Sequence, residues 1–495
     1  MLSIPYIKSK AAIVGTLGPS SSEEEKLRKL IDNGLDVVRL NMSHGNIEDH
    51  KERFELVRRV DETIPIIIDL SGPKIRIGEV KENFDLIKDD NIILTKENVV
   101  GNKEKLSISY NELIDLVDVK DTLFINDGII ELEVTEKFEN ELNCKVISGG
   151  PISSRKGLNA PGVPIGLFSP TKKDLEDIQN TINLEPDFYS VSFVRRKEDL
   201  IKVREQIANF TTERVPLISK IEHQDALDNI DEIINHSDGL MVARGDLGVE
   251  LPPEDIPLIQ EVLVKKSNDA GIPVIVATQM LESMVNSAKP TRAEASDVAN
   301  AILQGADAVM LSAETATGNH PIEAVGMMER IIKKVEPRLF EKSIELQRYV
   351  NSIPDSIGRS AVSMAEALNA DVIMAFTRSG GSSQSVAKFR PNQKIIAVTP
   401  LDKTSRRLRL QWGVNPLLLS RDFSDTDEMI FQGVNSAYEK GFVDKFDTAV
   451  LVAGSLLGLP TSTNLINYIK IDEIINSVGA EKRFIEKKNR KVNDV

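Results

Sequence analysis

Cysteine is nearly absent from the chain: Cys144 stands alone among 495 residues, and the five histidines are scattered. An internal disulfide is thereby excluded, and so is a Cys/His cluster holding structural zinc. Any metal must be held by oxygen ligands. Long apolar runs are missing too. None approaches the roughly 18 residues of a spanning helix, and the opening "MLSIPYIKSK" lacks the apolar core of a secretory signal, so no membrane partner is expected and the expected location is the cytoplasm. Positive charge is in deficit. A formal charge of −15 opposes binding to a polyanionic backbone, which argues against nucleic acid as a partner. An anionic substrate therefore needs a local patch of Lys, Arg or metal. Aromatic residues make up only 5%, which together with abundant Lys, Glu and Ile is compatible with a heat-adapted source.

What is present is an ordinary globular composition, 41% apolar and 28% charged, at a length that suits about three domains of about 150 residues. From Lys10 to about Glu336 one unit recurs, a β-rich run followed by an amphipathic stretch. The eight strand-like runs are "AAIVGTLG", "DVVRLNMSH", "IPIIIDLSG", "DFYSVSFVR", "VPLISKIE", "GLMVARGDLG", "IPVIVATQM" and "ADAVMLSAET". Val, Ile and Leu stand on consecutive positions, as in strands covered on both faces. Stretches such as "SSEEEKLRKLIDNG" carry an acidic first turn and a closing Gly34, both suited to a helix.

Eight such units suit a (β/α)8 TIM barrel, and a doubly wound sheet could also be built from them. Polar residues recur at the strand ends: Arg39, Asn41, Asp69, Lys220, Glu222, Asp246, Thr278 and Glu314. In a barrel those ends converge on one face, which favours that fold. The third unit is interrupted by short alternating strands, "NIILT", "TLFIND", "GIIELEVTE" and "ELNCKVIS", which read as a small β-barrel lid domain. The expected division is barrel at 1–74 and 169–340, lid at 75–168, and a C-terminal α/β regulatory domain at 355–470 reached through a polar helix, "EKSIELQRYVNSIPDS". Residues 471–495 are expected to form a charged extension, a surface helix followed by a frayed tail.

In "ISKIEHQD", Lys220 and Glu222 lie two apart on an apolar strand and point to the same side. A barrel interior suits them only if they work or pair, and a buried ion pair is the simpler explanation. "VARGDLGVELP" adds a second carboxylate, Asp246, flanked by Gly245 and Gly248, where a ligand can approach the backbone closely. Two carboxylates with substrate oxygens and waters suit Mg²⁺ or Mn²⁺, and point to metal-assisted chemistry on an oxygen-rich anion.

Taken in order, "RLNMSHG", "IDLSGPKIRIG", "ISKIE", "MVARGDLGVELP", "VATQMLESM", "PTRAEASDVANA" and "GADAVMLSAETATGNHP" closely resemble the pyruvate kinase family. "NDG", "KGLNAPG" and "FTRSGGSSQSVAKFRP" extend the resemblance from about residue 10 to 470. The resemblance implies transfer of a phosphoryl group from phosphoenolpyruvate to ADP, giving pyruvate and ATP, in a homotetramer. It implies that Glu222 and Asp246 hold the divalent ion, that Lys220 stabilises the transition state, and that Arg39 grips the phosphate. Thr278 would serve protonation of the enolate, unless it is only a buried threonine bonded to backbone. The N–H groups of Gly245 and Asp246 would bind the substrate carboxylate. Asn41, His44, Arg76 and Lys156 match nucleotide-side positions, and Ser312 and Glu314 match a strand end facing the metal's water network, where a purely structural role is equally open. Two other readings stay open beside it, a metal-dependent lyase on the same barrel and a non-catalytic metabolite sensor.

The chain departs from the family pattern where most members hold K⁺. Asn41, Ser43 and Asp69 are present, but Leu70 replaces a Thr, Ser71 a Lys, and Lys74 a Glu. An ammonium in place of a carboxylate changes the local charge by two units, so Lys74 is expected to act as an internal cation, and the resemblance implies, for members with this Leu and Lys pairing, that K⁺ is not required. Otherwise Lys74 would point to solvent at the lid hinge. "GVPIGLFSP", with Gly166 and Phe168, also departs at the return hinge. In the C-terminal part, Thr377, Ser379, Gly380 and Ser382 stand between strand and helix in a loop that suits one phosphate, unless it is only a helix cap, and the resemblance implies an effector site there. The facing "AGSLLGLP" has no Arg or Lys, which favours a monophosphate over a doubly phosphorylated sugar.

Overall fold

The computed structural model describes residues 9–163, 165–342, 350, 352–419, 425–454 and 463–476. The eight strand-like runs each contribute one strand: β1 (Ala12–Thr16), β2 (Val37–Asn41), β3 (Ile66–Asp69), β4 (Phe188–Val191), β5 (Leu217–Ile221), β6 (Gly239–Ala243), β7 (Val274–Ala277) and β8 (Ala308–Leu311). They close into a parallel barrel in the order 1-8-7-6-5-4-3-2. Strand alternation divides its interior into layers. Val37, Ile67, Phe188 and Ile218 pack together with Met241 and Ile275 in an apolar layer. Two residues further along the first four of these strands stand Arg39, Asp69, Ser190 and Lys220, all buried. A polar layer therefore lies directly on an apolar one, at the C-terminal end of the strands.

Between β3 and β4 the chain builds a six-stranded sheet with a two-stranded ribbon beside it, around its own apolar core. The four lid segments expected as strands are strands. Phe84–Leu86, Lys105–Ser107, Gly150–Ile152 and Leu158–Asn159 were not anticipated, and at two or three residues each they are too short to show a period.

The third body is a five-stranded sheet, ordered Val414–Leu418, Lys394–Thr399, Val372–Phe376, Thr448–Ala453, Leu465–Lys470, with the last strand antiparallel at the edge. That edge strand, "LINYIK", is nowhere fully buried, with Asn467 and Lys470 exposed, and was missed. The helix after the barrel ends at Lys342 and the next begins at Ile353, capped by Ser352. Most of the expected connecting helix lies outside the described residues. So do 455–462, which include most of "AGSLLGLP", and 477–495 of the expected extension, of which 471–476 are helical.

The C-terminal body closes the N-terminal end of the barrel. Leu410, 1% exposed, completes the apolar layer inside it. Trp412 meets two cations, with Lys10 Nζ 4.8 Å and the Arg390 guanidinium 4.9 Å from the ring centroid. Arg390 donates to Asp307 (2.6 Å), and Lys10 donates to the carbonyl of Pro391 (2.7 Å). Aromatic faces attract cations, and both charges also find oxygen partners in this joint. The opposite end of the barrel is left to the lid.

Candidate active site

Arg39 is buried at the end of β2. Its Nε donates to Asp69 Oδ2 (2.8 Å), Nη2 bonds the same oxygen, and Nη1 donates to Thr16 Oγ1 (2.8 Å). Asp69 Oδ1 accepts from Ser190 Oγ at 2.5 Å and lies 3.5 Å from Lys220 Nζ. Burial alone would raise the Asp69 pKa, but Arg39 and Lys220 outweigh it and hold the carboxyl below its ordinary range.

Lys220 Nζ lies 3.0 Å from Glu222 Oε1 and donates to Ser192 Oγ at 2.7 Å. Burial opposes its charge, yet the carboxylates of Asp69 and Glu222 raise its pKa above the ordinary lysine value, so it stays an ammonium. Glu222 is 1% exposed, and its Oε2 accepts the N–H of Phe193 (2.7 Å). Burial, reinforced by Asp246, pushes its pKa up against the pull of Lys220.

The turn after β6 carries Gly245 and Asp246, which open a short helix at Arg244–Glu250. Thr278, just past β7, adopts a left-handed φ of 69°, and Gln279 follows at 55°. A β-branched residue in that region is strained, and such strain collects at functional sites. Arg244 Nη2 donates to the Thr278 carbonyl (2.7 Å), while Nη1 is held by Asp297 (2.7 Å). The Thr278 hydroxyl donates to the Ala277 carbonyl (2.6 Å) and accepts the Gly245 N–H (2.8 Å). Thr278 is thus bonded to backbone, and one of its partners is the N–H expected to meet the substrate carboxylate. Glu314 is fully buried and accepts the N–H groups of Leu281 (3.1 Å) and Ser312 (2.7 Å), so it fastens two strand ends together.

Lys74 does not point to solvent. Its Nζ lies 2.6 Å from Asp246 Oδ1 and 3.4 Å from Asp127 Oδ1 of the lid, and its stem packs on Gly157, where a Cβ would come within 2.7 Å of Cε. Burial works against its charge, and Asp246 and Asp127 more than restore it, leaving the pKa raised. The structure therefore brings Lys74 to the expected metal carboxylate. Among the residues matching the family's K⁺ ligands, Asn41 Oδ1 accepts the Ser43 N–H (3.0 Å), Asp69 is held as described, and the Leu70 carbonyl accepts from Ser192 Oγ (2.6 Å).

Arg76 pairs with Gly157 across the lid base, beside Lys156, and its Nη1 donates to the Arg155 carbonyl (2.9 Å). His44 faces the same cluster. Burial lowers its pKa first, and Arg76, Arg39, Lys74 and Lys156 add to that. Arg39, Lys74, Arg76 and Lys156, from β2, the β3 loop and the lid, thus make one cationic wall beside His44, the local patch that an acidic chain needs for an anion.

Among the described residues no three His, Cys, Asp or Glu side chains gather as a complete cage for a metal ion. Glu222 and Asp246 nevertheless fit Mg²⁺ or Mn²⁺, because a hard cation of this kind commonly takes one or two carboxylates and completes its shell with waters and substrate oxygens. Ser190, Ser192, Phe193, Arg244 and Asp127 escaped the reading of the sequence. A signal existed for the serines: in "FYSVSFVR" Ser190 and Ser192 continue the inward alternation begun by Phe188.

At a distance from this site, Thr377, Ser379 and Gly380 lie on the loop after Val372–Phe376, and Ser382 in the first turn of the helix Gly381–Ala387 that follows. The Thr377 hydroxyl accepts the Gly380 N–H (2.9 Å), and Ser382 Oγ pairs with Thr463 Oγ1 (2.8 Å).

Comparison with known proteins identifies the assembly. Residues 8–325 match the family model "Pyruvate kinase, barrel domain", and residues 355–469 match "Pyruvate kinase, alpha/beta domain". Among relatives, a pyruvate kinase of Geobacillus stearothermophilus is 43% identical over 491 residues, covering 97% of this chain and 84% of that protein. Pyruvate kinases of Staphylococcus epidermidis and Bacillus licheniformis are each 41% identical, over 95% and 96% of this chain and 82% and 83% of theirs. The chain, with its closed barrel, its polar layer and its C-terminal α/β sheet, belongs to the pyruvate kinase family of phosphotransferases.

Proposed function

We propose that the chain moves a phosphoryl group from phosphoenolpyruvate to ADP at the mouth of the barrel, with Mg²⁺ or Mn²⁺ and without K⁺. The observation that carries this is the buried charge assembly of Arg39, Asp69, Lys220 and Glu222 opening toward the cationic wall of Lys74, Arg76 and Lys156. Phosphoryl transfer calls for alignment and neutralisation of charge rather than a protein nucleophile. Arg39, fixed by Asp69, presents a preset guanidinium to the phosphoryl oxygens. Lys220 keeps its charge and places it beside the migrating group. Glu222 and Asp246 would hold the divalent ion, which when bound neutralises oxygens of substrate and enolate. The Gly245 and Asp246 N–H groups receive the substrate carboxylate, freeing the Thr278 hydroxyl to serve proton delivery to the enolate carbon. Asn41, His44, Arg76 and Lys156 orient the nucleotide.

Lys74 supplies the monovalent charge in this scheme from the lid side of the site. A homotetramer in the cytoplasm, and a monophosphate effector at the Thr377–Ser382 loop, complete the proposal by family likeness. A lyase would use Glu222 and Asp246 but leaves Arg76 and Lys156 without a role. Incubation with phosphoenolpyruvate, ADP and Mg²⁺ tests the reaction: equimolar ATP and pyruvate are expected, both abolished by EDTA. Pyruvate without ATP, or no turnover at all, would overturn it.

A further inference from the structure

We infer that Ser192 is the positioning residue for Lys220, and that Ser192 and Phe193 together set the lysine and Glu222 as one unit. This rests on the roles proposed above for those two side chains. A serine hydroxyl has a single proton, and that of Ser192 goes to the Leu70 carbonyl at 2.6 Å. Its lone pairs are left for Lys220, whose Nζ lies 2.7 Å away. Of the three oxygens around the ammonium, Ser192 Oγ is the nearest, ahead of Glu222 at 3.0 Å and Asp69 at 3.5 Å. It is also the only neutral one. Without it, attraction alone would draw the ammonium, already 3.0 Å from Glu222, further onto the carboxylates, misplacing the lysine and competing more strongly for an oxygen that the divalent ion needs.

The next peptide acts on Glu222. Phe193 donates its N–H to Glu222 Oε2 at 2.7 Å from a left-handed φ of 53°. Gly72 makes room for this turn: its own φ is 68°, and a Cβ there would come within 2.7 Å of Ser192 Cβ and 2.9 Å of Phe193 Cδ2. Lysine and carboxylate are thus set by adjacent residues of one loop, seated on a glycine.

The test compares wild type, Ser192→Ala, Ser192→Thr, Lys220→Met and the double variant Ser192→Ala/Lys220→Met. Steady-state kinetics and Mn²⁺ titration without substrates are the readouts. Ser192→Ala should lower kcat by about 10- to 100-fold while KM for phosphoenolpyruvate moves by less than about threefold, as for an interaction realised in the transition state. It should weaken Mn²⁺ binding several-fold, and that effect should vanish in the Lys220→Met background, because the serine acts through the lysine. Ser192→Thr should restore most of kcat. An unchanged kcat in Ser192→Ala, or an equal loss of Mn²⁺ affinity in both backgrounds, would overturn the inference. Wild-type turnover by Lys220→Met would instead overturn the role of the lysine on which it rests. Should Ser192→Ala not fold, Gly72→Ala, which displaces the same turn, is expected to lower kcat and Mn²⁺ affinity together, and wild-type values for both would count against the inference.

Discussion

Lys74 Nζ and Asp246 Oδ1 stand 2.6 Å apart across the mouth of the barrel, and Asp127 of the lid lies 3.4 Å from the same nitrogen. One ammonium therefore touches the lid and an expected metal carboxylate together. Its charge sits among Asp246, Asp127 and Glu222, so it offsets carboxylate repulsion that a mobile cation would otherwise have to screen.

Lys74→Glu reverses that charge beside two carboxylates. In K⁺-free buffer the rate of pyruvate formation should fall by at least about tenfold, since even 1.4 kcal/mol of added repulsion has that effect. Added K⁺ should recover much of it. An unchanged rate without K⁺ would remove Lys74 from the account.

Arg39→Lys keeps the charge and loses the fork that spans Asp69 and Thr16. A fall of about 10- to 100-fold in kcat/KM for phosphoenolpyruvate is expected, with a lower Tm because the buried Asp69 loses its best partner. Kinetics and thermal melting of the same sample check both parts.

Leu410→Ala removes the side chain with which the C-terminal body fills the barrel floor. A loss of about 2–5 kcal/mol is expected from the cavity, read by urea unfolding, with the active-site residues untouched at the other end of the barrel. A loss below about 1 kcal/mol would mean that the floor collapses around the gap.

Glu336 gives the joint a pH dependence. Its Oε1 accepts the N–H groups of Lys10 and Ala11, each at 2.7 Å, and burial pushes its pKa from 4.5 up to about 7, against those bonds and the Lys10 ammonium and with Glu329 adding to it. A raised folded-state pKa means that the folded form holds the proton more tightly. The stabilisation is full below about pH 4.5 and lost as pH rises through about 7, on the order of 3 kcal/mol. Burial lowers Lys10 to about 8, with Glu336 opposing, so its contribution runs the other way and recovers between about 8 and 10.5. Glu336→Gln should flatten the fall between pH 4.5 and 7 in chemical denaturation. The same slope in the variant would assign it to other groups.

The barrel was legible because its strands are continuous apolar runs that end in polar residues, and that pattern has few folded solutions. Lys220 and Glu222 were legible for the same reason, as charges at inward positions of an apolar strand. Lys74 was recognised as an unusual cation, but its partner was not, because Asp246 lies 172 residues away and only closure of the barrel beneath the lid brings the two together. Ser192 and Phe193 were missed because Ser192, one residue past β4, carries no charge and only the weak signal of inward alternation, and a left-handed φ at Phe193 leaves no mark in a residue type that rarely adopts it. The edge strand Leu465–Lys470 was missed because it is half-covered and mixes Asn, Tyr and Lys with its isoleucines.

The most direct test of the account is the rate of ATP and pyruvate formation by the wild-type protein with Mg²⁺, in tetramethylammonium buffer and again with K⁺ added. With Lys74 serving as the internal cation, the two rates should agree within about twofold, since a ligand with no differential binding shifts nothing. Activation by K⁺ of about tenfold or more would contradict it and return the monovalent site to Asn41, Ser43 and Asp69.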